Sequence, residues 1–158
     1  MLVCFIAFGL HFTDNVLGAS NESQSNRPAY LIHTDKDMGI SFEYPSKFPP
    51  FSTDVFGGKS CVENACISYS KGSKTEISQQ IVNTSTKNLT VGGKEVIGFS
   101  GASDGNGIFS GITGNFLSTG SYLIQVSMDG VDGNSQAVGI QRIEAVRDHI
   151  VSTLKVTK

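Results

Sequence analysis

The chain has 158 residues, 39% of them apolar and 16% charged, with a formal net charge of −2. That is one globular domain's worth of sequence, too short for a typical two-domain enzyme and too apolar for a disordered chain. Twelve Lys and Arg, scattered between Arg27 and Lys158, stand against fourteen acids, which excludes a basic stripe for nucleic acid or a polybasic run for an anionic membrane surface. Eighteen Gly spread along the chain, with four Pro and no Trp, point to many tight turns and hence to a turn-rich β or α+β domain.

Leu2–Leu10 is a nearly continuous apolar run, followed by a polar break at His11–Asn15 and small residues at Gly18, Ala19 and Ser20. This is the pattern of a secretory signal peptide over residues 1–19, and the run falls short of the about 20 apolar residues of a spanning helix. Residues 20–28 hold no large apolar side chain and end in Pro28, as a polar linker does. The folded domain is expected over 29–158.

Export places Cys61 and Cys66 in an oxidising compartment, where a bridge between them closes a small ring and adds about 2 kcal/mol on the loop-entropy model. Their C-x4-C spacing, with no helix start after it, does not suit a redox-active pair. Three N-x-S/T sequons, at Asn21, Asn83 and Asn88, are candidate glycosylation sites.

Ala29–His33 and Gly39–Tyr44 flank the turn-forming run Thr34–Met38 and predict a β-hairpin, with Ile40, Phe42 and Tyr44 on one buried face. Pro45, Pro49 and Pro50 then force an irregular crossing, which Phe48, Phe51 and Phe56 are expected to pin to the core. Cys66–Ser70 predicts a strand. Ser73 and Glu76 form an S-x-x-E capping box ahead of a helix over Lys74–Asn83. From Lys94 to Met128 the pattern is strand, turn, strand, turn, strand, with turns at Asp104–Gly107 and Ser118–Ser121. Asn134 or Ser135 is expected to cap a helix from Gln136, with Ile140, Ile143, Val146, Ile150 and Leu154 inward and Gln141, Glu144, Arg147 and Asp148 outward.

Gly39–Ser46 (GISFEYPS) with its preceding hairpin, the meander, and the closing helix with Ile150–Val156 (IVSTLKV) together resemble the PsbP-like family, over about 29–157. That family is named for an extrinsic lumenal subunit of photosystem II, and its fold class includes a nuclear-transport protein that binds the Ran GTPase. The resemblance implies an α+β fold, an α/β/α sandwich around a central antiparallel sheet, together with export and a non-catalytic accessory role. The chain departs from the pattern at Phe48, where many members carry Trp shortly after the Y-P-S segment. No metal or partner site carries over.

Rival chemistry is thin. Gly98–Ala102 (GFSGA) approaches a nucleophile elbow around Ser100, with His149 later, yet its last Gly is replaced and the chain is too short for an α/β-hydrolase. Asp129, Asp132 and Asn134, or Asp104 and Asn106, offer oxygen ligands but break the EF-hand pattern. His33 with Asp35 and Asp37 is the one His-carboxylate cluster, and a solvated turn explains it more simply. Gly92–Lys94 leads into a strand and is no phosphate loop. The expectation is an exported, extracytoplasmic, non-enzymatic monomer without cofactor, its mature domain outside the membrane, that binds an unidentified envelope or surface protein or stabilises an envelope complex. The alternative is an extracytoplasmic module for a small ligand or a metal.

Overall fold

The computed structural model describes residues 29–80, 84–91, 93–103, 107–116 and 120–157. The expected leader and linker, Asn21, Asn83 and the Asp104–Asn106 turn tip lie outside them. Ten strands and two helices are seen among the described residues: β1 (Tyr30–Asp35), β2 (Ile40–Pro45), β3 (Ser52–Asp54), β4 (Gly57–Val62), β5 (Ala65–Gly72), α1 (Lys74–Gln80), β6 (Ser85–Val91), β7 (Lys94–Ser103), β8 (Gly107–Asn115), β9 (Ser121–Met128), α2 (Gln136–Thr153) and β10 (Lys155–Val156). The class is α+β.

Every strand pairing is antiparallel, in a three-stranded sheet β1-β2-β10 and a seven-stranded sheet β3-β4-β5-β9-β8-β7-β6. The β7-β8-β9 meander matches the expected one. Four strands went unforeseen, the two-residue β10 among them. β3 and β6 are margins with exposed polar side chains, and the GGKSCV of β4 lacks apolar alternation, so none carries a period-2 signal.

Alternation along the strands sorts the large sheet's side chains onto two faces. One face presents Ile67, Tyr69, Ile108, Ile112, Ile124 and Val126 to the small sheet's Ile40, Phe42 and Tyr44 and to Ile143 and Ile150 of α2. The other face carries Phe99 and Leu123 under Ile77 of α1. The main core therefore lies between the two sheets and α2. Gly139 permits this closure, because a Cβ there would stand 2.6 Å from Ile108 Cδ1.

Local chemistry sets the ends of the elements. Ser73 N–H donates to Glu76 Oε2 at 2.7 Å and Glu76 N–H to Ser73 Oγ at 3.2 Å, so the expected capping box forms. At α2 the cap differs from expectation. The Ser135 side chain makes no cap bond, and Asp132 Oδ1 instead accepts from Ser135 N–H at 2.8 Å. After Pro45, Phe48 is buried and Phe51 half-buried as expected, but Phe56 is 69% exposed. It lies at the tip of the β3–β4 hairpin rather than in the crossing.

Candidate functional site

The inner face of β1 carries His33 and Asp35, set opposite Phe42 and Ile40 by the hairpin register. Both point at Tyr69 of β5. The Tyr69 hydroxyl donates to Asp35 Oδ2 at 2.7 Å and lies 2.9 Å from His33 Nε2. With its single proton committed to the carboxylate, the hydroxyl accepts from His33, so Nε2 carries the imidazole proton. Phe51 and Phe42 flank the imidazole at ring-centroid distances of 4.3 and 5.4 Å. Gly58, opposite Tyr69 in register, leaves room for this ring, since a Cβ there would stand 2.7 Å from it.

Burial and hydrogen bonding together set the charge states of these groups. Burial pulls the His33 imidazole below its ordinary 6.5, with Asp35 opposing, which favours the neutral ring. Burial also pulls the Asp35 carboxyl upward, but hydrogen bonds from Met38 N–H, the Tyr69 hydroxyl and Asp37 N–H outweigh it and hold the group below 3.8. The Tyr69 phenol is driven up, first by burial and then by its bond to Asp35. The arrangement ties β1 to the large sheet and engages two of the three residues weighed as metal ligands. No group of three or more His, Cys, Asp or Glu able to hold a metal is found among the described residues.

Tyr69 also lines an open groove of about 620 Å³, together with Pro49, Pro50, Asp54, Phe56 and Lys59. Asp54 Oδ1 accepts from Phe56 N–H at 2.7 Å and from Gly57 N–H at 3.0 Å, an Asx turn that fixes the hairpin tip. Phe56 O accepts from Lys71 N–H at 2.9 Å. The backbone is thus held while Val55 and Phe56, 73% and 69% exposed, face solvent.

The other sequence-level candidates are dispersed. Cys61 and Cys66 stand directly opposite across β4–β5 and are joined by a disulfide. Asn88 is exposed on β6. Ser100 lies within β7, away from any strand-to-helix turn. His149 pairs with Glu43 Oε2 at 3.0 Å and stacks on Tyr30 at 3.6 Å, so its ring is engaged by β1 and β2. Asp129 joins the β4–β5 turn through backbone and side-chain bonds to Asn64, while Asp132 caps α2.

Arg147, expected on the outer side of α2, is 2% exposed. Ser110 Oγ on β8 accepts from its Nη1 at 2.7 Å and Asp148 Oδ1 from its Nε at 2.8 Å. Nη2 lies 2.7 Å from that same Asp148 oxygen without an aligned hydrogen bond of its own. Glu144 Oε1 accepts from Nη1 at 3.4 Å, so two carboxylates face the buried guanidinium. Its place was hidden in the sequence because the deciding partner, Ser110, is 37 residues away. The role of Tyr69 was hidden likewise.

Among the described residues no helix is long and apolar enough to cross a membrane. Neither a protein-family model nor a curated protein matches the chain.

Proposed function

We propose that this chain is an extracytoplasmic, non-catalytic binding domain of the PsbP-like kind, which holds a partner protein in an envelope complex through its β3–β4 tip. The observation that carries the reading is the pair Val55–Phe56, exposed on a backbone held by Asp54 and Lys71. A large aromatic side chain on a prearranged turn has little ordering entropy left to lose on docking, and such residues dominate binding energies. The disulfide between Cys61 and Cys66 suits an oxidising compartment and supports the export pattern of the first 19 residues.

The groove beside Tyr69 favours a second reading, a small-ligand module. Its about 620 Å³ is in the range of ligand clefts, and it combines Pro and Phe walls with Asp54 and Lys59. One experiment separates the two. The chain is used as bait in a cross-linked pull-down from its own cell envelope, beside a Val55→Ser/Phe56→Ser double variant. A near-stoichiometric companion whose recovery falls at least about tenfold with the variant is expected. Equal recovery removes the tip from the interface. Reproducible absence of a companion moves the reading to the small ligand, tested by a metal and metabolite screen of the thermal midpoint.

A further inference from the structure

Among the described residues β1 has β2 on one side and no strand on the other. The bond from Ser46 N–H to Ala29 O fixes the parity of the β1–β2 ladder. Since paired and unpaired positions alternate along an antiparallel ladder, Leu31, His33 and Asp35 turn their amide groups to β2, while Tyr30, Ile32 and Thr34 turn theirs to the open margin.

The other sheet margins are blunted in recognised ways. β3 has three residues and β10 has two. β6 is longer but carries Lys87 among exposed Ser85, Thr86, Asn88 and Thr90. β1 has six residues in unbroken register, with no Lys or Pro among them. Tyr30 and Leu31 are 38% and 43% exposed, and Ile32 is 72% exposed.

We propose that β1 joins two copies of this chain as an antiparallel, two-fold symmetric strand pair with Ile32 on the axis. The register centred on Ile32 sets Ile32 against Ile32 and Tyr30 against Thr34, and so engages every open amide group of the strand. Each such pair exchanges both backbone hydrogen bonds. On the opposite face Leu31 meets His33, and Asp35, the strand's one acid, meets Ala29, so no like charges oppose. Centring on Leu31 sets Pro28, which has no N–H, against Thr34, and centring on His33 sets Tyr30 against Lys36 beyond the end of the strand. In this register a second copy engages every open amide of the strand with no like charges opposed and forms a closed two-fold pair. A single strand pair is a small contact, so association is concentration-dependent.

Sedimentation equilibrium of the chain from about 10 µM to about 1 mM tests this. The weight-average mass is expected to rise from one chain toward two, and Ile32→Lys, at a solvated position, is expected to stay at one. Amide exchange at Tyr30, Ile32 and Thr34 should slow as concentration rises. A wild type that remains a single chain throughout, or an Ile32→Lys variant that associates as the wild type does, overturns the proposal. So does protection of those amides that is independent of concentration, which would identify residues preceding β1 as the cover.

Discussion

The two faces of β1 carry nearly the same chemistry with opposite consequences. On the inner face His33, Tyr69 and Asp35 join β1 to β5; on the outer, His149, Tyr30 and Glu43 join it to α2 and β2. Each set is one imidazole, one phenol and one carboxylate. Tyr69 is buried, and its hydroxyl is committed to two partners, whereas Tyr30 is exposed and contributes only the face of its ring. The inner contacts therefore carry more energy, because half-buried His33 and Asp35 share a buried hydroxyl, whereas on the outer side water replaces what is lost.

The contrast can be broken at its foundation. Phe42, 1% exposed, backs His33, Phe51 and Tyr69. Phe42→Ala is expected to cost about 3–5 kcal/mol in chemical denaturation. A cost below about 1 kcal/mol would mean that the inner cluster does not rest on the core.

Tyr69→Phe sharpens the contrast by keeping the ring and deleting the hydroxyl. His33 Nε2 and Asp35 Oδ2 lose their common partner, at an expected cost of about 1–3 kcal/mol. A neutral result would place the inner cluster on the same footing as the outer one.

Titration isolates the imidazole. Because His33 titrates lower in the folded chain than in the unfolded one, its contribution is present above pH 6.5 and is lost as pH falls through the folded value. Asp35, also held low, adds a second loss beginning below pH 3.8. Denaturation midpoints compared across this range should show the first step in the wild type and not in His33→Gln. An identical pH profile in the variant would remove His33 as its source.

The smallest effect belongs to the outer face. His149→Ala is expected to change stability by no more than about 1 kcal/mol, and by less in high salt. A loss as large as that of Tyr69→Phe would erase the distinction between the faces.

Much of the fold was legible because its signals are local. Ile40, Phe42 and Tyr44 announced a half-buried strand, Ser73 and Glu76 a helix start, and Tyr122, Ile124 and Val126 the central strand of the large sheet. The candidate site was barely legible. The sequence predicts a core anchor at Phe56, which is 69% exposed, since a Phe in a sequence does not say whether anything will cover it. The stretch STKNLTV carried no apolar period because, as a margin, it has little to bury.

The strand alternation of β2 and β9, the α1 cap and the apolar stripe of α2 are written locally, because each depends on bonds and periodicities among neighbours within a few residues. Which polar groups are enclosed, and which apolar ones are left in water, follows from how distant elements pack. Tyr69 reaches His33 and Asp35 across 36 and 34 residues, Arg147 reaches Ser110 across 37, and Ile32 is left 72% exposed on the outer face of β1. Burial is a property of where separate elements meet, and no local pattern encodes it.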